Sequence, residues 1–413
     1  MDAINFNTYL DNPYYTAPAV NHGNAAEHQY SLDNKGRPWL ELNIANTHHT
    51  SAGGVPRFFD GDVLEGSVGL DLEKAKSVKK ITVTLLGIAT VETFDPLNFV
   101  EITETLWDQR QNGGSSRLSG HRSWPFSFTF PHEVTVKDKS KGHSTTYRLP
   151  PSFSEKGWNA SISINYKILV SVHEGSFSPN AFLAANLFVL PKTVAKPPSS
   201  HRRKAYNVAA PLPGPEIDPE GWTELRHVIV KGIPSGSRAP QVTCTLAIAK
   251  PLTYALGSPI PLILTLASPD AEALESLADS ACVKVVLERF LSAGTKGQLD
   301  ASSTKDGNTL KDFSSTAVFW PIDEPEEGVR RLQGEIDVPH NLRPSCAFAT
   351  ILIKYAVALL PFQAPGFHSD NNKETPLVKQ EVAIVTLNAD GVVPRSYAPP
   401  PPYVGEEQCK LWT

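Results

Sequence analysis

A chain of 413 residues is too long for one ordinary hydrophobic core and about right for two domains with connecting segments. Its net charge of -5 offers no concentrated basic surface, which excludes nucleic acid as a partner on electrostatic grounds. Proline supplies 35 residues, about 8% against a usual share of roughly 5%, which favours short edge strands, turns and irregular connections over long helices.

Residues 1–28 are polar, rich in Asn, Tyr and Pro, and without periodicity, which predicts a disordered tail. Short apolar-alternating runs follow from Tyr30 to Lys192, separated by Gly, Ser, Asn and Pro. In Ile81-Thr82-Val83-Thr84-Leu85 the aliphatic residues fall on one face and the threonines on the other. Ile162 to Val170 repeats the pattern over nine residues, and period two over such lengths predicts half-buried strands. Residues 196–237 change character, with Lys196-Pro197-Pro198, the basic run His201-Arg202-Arg203-Lys204, and Pro211-Leu212-Pro213-Gly214-Pro215. So much proline does not fit a central strand, and the segment reads as an inter-domain linker with one strand near Val228–Val230. Alternation resumes with Val242, Cys244, Leu246 and Ile248 on one side and Thr243, Thr245 and Ala247 on the other. It continues through 262–266, 283–287 and 351–359 and ends near Leu387, while 269–278 is a helix or an irregular loop. From Gly391 the chain is again proline-rich and is expected to be disordered. Many short strands with turn signals predict an all-β protein built from sandwiches.

The two halves repeat one another. Leu149-Pro150-Pro151-Ser152-Phe153 precedes the alternating Ile162, Ile164, Tyr166, Ile168 and Val170; Leu342-Arg343-Pro344-Ser345 precedes Ile351, Ile353, Tyr355, Val357 and Leu359. A strand ending in proline precedes both, Phe128-Thr129-Phe130-Pro131 and Ile336-Asp337-Val338-Pro339. The shared phase of the tyrosine matters, because a slip of one residue would turn the whole apolar set to solvent.

The order of these segments resembles the arrestin family, and within it the α-arrestin branch. The matching stretches are Gly61-Asp62-Val63-Leu64-Glu65-Gly66-Ser67-Val68, Val78 to Gly87, Gly120-His121-Arg122-Ser123-Trp124-Pro125-Phe126-Ser127-Phe128, and Leu149 to Phe153. In the second half Tyr254-Ala255-Leu256-Gly257-Ser258-Pro259-Ile260-Pro261-Leu262 resembles the opening of an arrestin C-domain. The resemblance spans roughly residues 30–390 and implies two tandem immunoglobulin-like β-sandwiches, an N-domain at 29–195 and a C-domain at 238–390, joined by the linker and flanked by the tails 1–28 and 391–413.

Beyond the body, Pro400, Pro401, Pro402 and Tyr403 form a Pro-Pro-x-Tyr peptide. Consecutive prolines pre-order a polyproline II helix of three residues per turn, so Pro400 and Tyr403 project from one side. An aromatic-lined WW groove reads such a peptide, which makes Pro400, Pro401 and Tyr403 the candidate docking residues. The resemblance implies an adaptor that brings a WW-domain HECT ubiquitin ligase to membrane transporters or to receptor cytosolic tails, promoting their endocytosis. The alternative within the same resemblance is a signalling or trafficking scaffold, a pH-signalling relay or a retromer-like coat, that acts without a ligase.

Weaker motifs carry blander readings. Asn12-Pro13-Tyr14-Tyr15 fits an endocytic Asn-Pro-x-Tyr pattern but reads first as a turn. The basic run at 201–204 suits weak contact with anionic lipid, or plain solvation in a linker. Asp323-Glu324-Pro325-Glu326-Glu327 reads as an acidic surface loop. The chain contains no GxSxG, P-loop, GxGxxG or HExxH pattern, and His48-His49 lacks a Cys or carboxylate at ligand spacing. No enzyme, metal or cofactor is expected. Met1 to Val20 lacks a basic stretch leading into an apolar one, and no run reaches the ~18 apolar residues of a membrane span. The expectation is a cytoplasmic protein recruited peripherally to the plasma membrane or endosomes. Cys244, Cys282, Cys346 and Cys409 are then reduced thiols and Asn159-Ala160-Ser161 a coincidental sequon.

Overall fold

The computed structural model describes residues 26–34, 36–46, 54–76, 78–92, 94–111, 118–137, 142–156, 161–174, 180–232, 240–294, 309–322, 326–364 and 375–399. These residues are mostly strand, and they divide into two compact units. The first comprises the described residues of Met1–Lys192, Ala293–Asn308 and Ala347–Ile351; the second comprises the remainder.

The first unit runs through β1 (Ala26–Asn34), β2 (Arg37–Asn46), β3 (Arg57–Phe59), β4 (Val63–Lys76), β5 (Val78–Val91) and β6 (Leu97–Asp108). It continues with β7 (Leu118–Thr129), β8 (Glu133–Lys137), β9 (Ser144–Arg148), β10 (Phe153–Lys156), β11 (Ser161–Glu174) and β12 (Ala181–Leu190). One sheet has the order β1-β2-β4-β7 and the other β3-β12-β11-β5-β6, with β10 beside β11 and a separate β8-β9 hairpin. The second part of the chain holds α1 (Ser200–Val208), β13 (Trp222–Glu224), β14 (Val228–Lys231), β15 (Gln241–Ala249), β16 (Thr253–Ala255), β17 (Pro259–Ala267) and α2 (Ala271–Ala278). After these come β18 (Val285–Ala293), β19 (Thr309–Thr316), β20 (Val318–Pro321), β21 (Val329–Asp337), β22 (Cys346–Phe348), β23 (Ile351–Leu359) and β24 (Val378–Val385). Its sheets have the orders β13-β15-β17-β21-β20, with β14 also on β15, and β16-β24-β23-β18-β19, with β22 beside β23.

The repeat read in the sequence is a repeat of strand plan. In each half a three-residue strand opens the second sheet by parallel pairing with the last strand, β3 on β12 and β16 on β24. The alternating runs place Ile162, Ile164, Tyr166, Ile168 and Val170, and equally Ile351, Ile353, Tyr355, Val357 and Leu359, at no more than 4% exposure. Each tyrosine hydroxyl crosses back to the loop before its strand: Tyr166 Oη donates to Pro150 O and Tyr355 Oη to Arg343 O, both at 2.6 Å. Each Pro-Ser turn is tied by a reciprocal pair. Ser152 N donates to Val189 O at 2.8 Å while Val189 N donates to Ser152 Oγ at 2.9 Å. Ser345 N donates to Ile384 O at 2.8 Å while Ile384 N donates to Ser345 Oγ at 3.0 Å.

The corner before β4 recurs before β17. Gly61 N donates to Phe130 O at 2.9 Å and Gly257 N to Val338 O at 2.8 Å. Both glycines hold positive φ, +80° and +75°, and a Cβ at either would run into a histidine ring, that of His132 or of His340. Glycine meets both demands without the steric penalty that other residues incur in this region. Removing one tyrosine hydroxyl takes away a donor from Pro150 O, where the contact is buried, or from Arg343 O, where it is part-buried. Tyr166→Phe and Tyr355→Phe are each expected to lower the stability of their own unit by about 1–2 kcal/mol. Urea unfolding followed separately for the two units checks this, and an unmoved transition in either would argue against the repeated corner as a stabilising element.

Several expectations need correction. The threonines of β5 do not face solvent: Thr82 and Thr84 are under 10% exposed, with Thr84 Oγ1 bonded to Thr103 Oγ1 at 3.0 Å. β5 is a central strand between β11 and β6, and its residues 81–87 are buried without alternation, so both of its faces are covered there. The segment 269–278 resolves to a helix, capped by Asp270, whose carboxylate accepts from Ala273 N at 3.0 Å. Of the described cysteines, Cys244 and Cys282 are buried and Cys346 is half-buried, and all three are free thiols. Burial raises the Cys244 and Cys346 thiols to about 12, so neither supplies a thiolate near neutrality. No described helix is long and apolar enough to cross a membrane.

The largest corrections fall on the two proline-rich stretches. The expected linker has its expected strand, β14, but also carries α1, a 3-10 turn at Pro219–Gly221 and β13, all of them within the second unit. The expected disordered tail is described over 391–399, and its residues 396–398 are hydrogen-bonded to Glu335 of β21. In both places proline brackets short segments that dock onto an existing sheet, by strand pairing on β15 and by hydrogen bonds to Glu335.

Candidate functional site

Pro400, Pro401 and Tyr403 lie outside the described residues, as do Asn12 to Tyr15, His48-His49, Asp323 to Pro325 and Cys409. Glu326 and Glu327, at the end of the acidic stretch, are exposed. The described residues that precede Pro400, 391–399, belong to the second unit.

The first feature there is α1. Ser199 is its N-cap, accepting from Arg202 N at 3.2 Å, and the same hydroxyl donates to the buried Asp218 carboxylate. Asp218 also lies 3.6 Å from His201 Nδ1. Buried residues then fall at positions 202, 205 and 206, one stripe of a helix at i, i+3 and i+4. The basic run therefore divides: His201, Arg203 and Lys204 are exposed, but Arg202 is only 2% exposed. Its guanidinium donates to Lys250 O and Gly221 O and lies 5.0 Å over the Trp222 ring. Desolvation lowers the Arg202 pKa, while Tyr206, Tyr254 and Asp218 support the charge. Beneath this layer Trp222 packs with Ala247, Ala249 and Ile263, and its Nε1 donates to Pro213 O at 2.9 Å. An arginine rather than a lysine suits this position, because a planar fork can serve two carbonyls and stack on indole together.

The second feature is a carboxylate clip. Glu335 on β21 is 4% exposed, and three donors from one short segment converge on it. Ser396 Oγ donates to Oε2 and Tyr397 N to Oε1, both at 2.7 Å, and Ala398 N donates to Oε2 at 3.2 Å. The Tyr397 ring stacks on Tyr206 of α1, centroids 6.4 Å apart and planes 26° apart, which joins the clip to the helix. Tyr397 Oη is buried with no hydrogen-bond partner among the described residues, so this ring contributes by stacking alone. A cleft runs alongside, lined by Arg203, Lys204, Val208, Val392 and Val393.

Sequence reasoning missed Glu335, Arg202 and the clip. A Ser following Pro197-Pro198 is an N-cap signal, and Arg202, Ala205 and Tyr206 at helical spacing would have marked α1. Glu335 had no such signal, since an acidic residue alternating with Ile336 reads as the solvent face of a strand.

Burial raises the Glu335 pKa above its ordinary 4.5; the donors of Ser396, Tyr397 and Ala398 oppose the rise, and Asp337 adds to it. A group whose folded pKa is raised contributes most below its unfolded value and loses that contribution as pH climbs through the folded value. The stability of the wild-type chain relative to Glu335→Gln should therefore increase as pH falls from neutrality towards 4.5. Urea midpoints across that range test this, and a gap independent of pH would contradict it.

These features define an all-β protein of two units built on one repeated strand plan, with a proline-rich C-terminal segment fastened to the second. No protein-family model matches the chain, and none of the curated proteins matches it.

Proposed function

We propose that the chain is an arrestin-like adaptor of two tandem immunoglobulin-like sandwiches, whose Pro400-Pro401-Pro402-Tyr403 peptide recruits a WW-domain HECT ubiquitin ligase to membrane cargo. The observation that carries the reading is the docking peptide itself, which begins two residues after the last clipped residue, Ala398. The repeated strand plan supports the two-domain part, because such a body offers two sheet-rich surfaces for cargo while the peptide engages the ligase. A single four-residue peptide binds on the order of micromolar, so the cargo contact supplies the second attachment that raises overall avidity.

The test is reconstitution with a purified HECT ligase and the cytosolic tail of a transporter or receptor. Wild-type chain should increase ubiquitin transfer to the tail, and Pro400→Ala/Pro401→Ala should return it to the level seen without the chain. Equal transfer by both forms would leave the ligase reading without support and favour a ligase-independent scaffold.

A further inference from the structure

We propose that the outward face of α1, together with residues 391–393, is a membrane-docking surface that takes the headgroups of an anionic phospholipid bilayer. The surface lies wholly within the second unit and holds whether or not the chain recruits a ligase.

α1 has two distinct faces. Residues 202, 205 and 206 form its buried stripe, and the opposite side carries 200, 203, 204, 207 and 208, spaced i, i+3, i+4, i+7 and i+8. All five are exposed, and all five line the cleft beside the helix, which 391–393 bound on its other side. That cleft measures about 390 Å³. The basic run is thereby sorted: Arg202 gives its guanidinium to Lys250 O and Gly221 O, whereas Arg203 and Lys204 remain at the surface.

The charge around this cleft is one-sided. Two of its lining residues are cations and none is a carboxylate. Neither Arg203 nor Lys204 forms an ion pair with another described residue. Asp218, at the start of the helix, is buried and held by Ser199 and His201, and the exposed Asp390 precedes Gly391 without lining the cleft. The whole chain carries a net charge of -5, so an anionic surface repels it in every orientation except one that turns a locally basic face inward. A guanidinium fork takes two oxygens of a phosphodiester, and a neighbouring ammonium adds a point charge.

The rims of the cleft are aliphatic. Val393 and Val208 are 75% and 65% exposed, two of the three most exposed large hydrophobic residues described, and both line this one cleft. At such exposure they protrude and form no pocket for a protein partner's anchoring side chain. An acidic peptide would satisfy the charges and leave the valines in water. A bilayer meets both, with phosphates at the basic groups and apolar boundary for the valine tips. A contact of this size holds a protein at a membrane only together with a second attachment.

The experiment is co-sedimentation of the full chain with vesicles of phosphatidylcholine alone and of phosphatidylcholine mixed with phosphatidylserine. The chain should pellet with the mixed vesicles and stay in solution with the neutral ones, and added salt should release it. Arg203→Ala/Lys204→Ala should weaken binding about 30-fold, each basic residue being worth about fivefold at an anionic surface. Val208→Ser/Val393→Ser should weaken it about fivefold through lost apolar burial. Lys354→Ala/Lys379→Ala removes two exposed lysines of β23 and β24 outside the cleft, and should bind within about twofold of the wild type. All six positions are exposed, so each variant should keep the wild-type urea midpoint.

Failure to pellet with the mixed vesicles, or equal pelleting with both kinds, would overturn the proposal. So would full binding by Arg203→Ala/Lys204→Ala, or an equal loss in the lysine control, which would make overall charge rather than the cleft responsible. Undiminished binding by the valine variant, or release by inorganic phosphate at constant ionic strength, would overturn the bilayer as occupant in favour of a soluble anion. Capture of a polyglutamate peptide in place of vesicles, lost in Arg203→Ala/Lys204→Ala, would overturn it in favour of an acidic protein segment.

Discussion

A chain carrying Tyr403→Ala should lose at least about 30-fold in affinity for an isolated WW domain, corresponding to roughly 2 kcal/mol. The reasoning starts from the backbone. Three or more consecutive prolines hold φ near its polyproline II value before any partner arrives, so little ordering entropy remains to be lost on binding. A polyproline II conformation of the motif would bring the rings of Pro400 and Tyr403 to one side at one helical repeat, with the tyrosine the larger of the two anchors. Aromatic anchors seated in a desolvated slot carry a disproportionate share of binding energy. Val404→Ala, just outside the motif, should change affinity by less than about threefold, the scale of a peripheral contact. A titration of the labelled WW domain with the three chains reads both effects. Undiminished binding by Tyr403→Ala would end the docking proposal.

The largest stability effect is expected at Arg202. Truncation to alanine removes a donor from Lys250 O and one of two donors from Gly221 O, which keeps Lys250 N at 2.7 Å, and strips the cation from the face of Trp222. With a carbonyl that loses its donor costing about 1–3 kcal/mol and a partly desolvated cation–π contact about 1 kcal/mol, Arg202→Ala should destabilise the second unit by roughly 2–3 kcal/mol. Arg202→Lys retains charge but not the fork, and should recover less than half of the loss. Because the two units need not unfold together, the readout is the transition reported by Trp222 fluorescence, or amide exchange on β13 and β15, rather than one global midpoint. A change below about 0.5 kcal/mol, the range of an ordinary surface substitution, would show that the buried guanidinium is dispensable.

What the sequence revealed and what it hid follow from the range of the forces involved. Strand alternation was legible because period two is a local property and the burial of Ile162 to Val170 and Ile351 to Leu359 follows it. The repeated Pro-Ser and tyrosine spacing was legible for the same reason, and it corresponds to matched hydrogen bonds in both halves. The threonines of β5 were misplaced because the neighbours that cover a strand's second face come from far away in the chain. Arg202 was hidden inside a run of charges, and only a tertiary partner such as Trp222 separates a buried arginine from its exposed neighbours. Glu335 was the least legible, since its donors lie more than 60 residues further along. The candidate docking residues Pro400, Pro401 and Tyr403 rest on consecutive residues alone and lie outside the described residues.

The Ser396–Glu335 bond sets where the protein can be cut. A stop codon after Asn388 or Asp390, the natural place to end the second unit by its last strand, would bare a buried carboxylate and an aromatic face on α1. Shortened forms ending there would be expected to aggregate or soften for reasons unrelated to ligase recruitment. Ending instead at Pro399 keeps the three donors to Glu335 and removes residues 400–413, the proposed docking peptide among them.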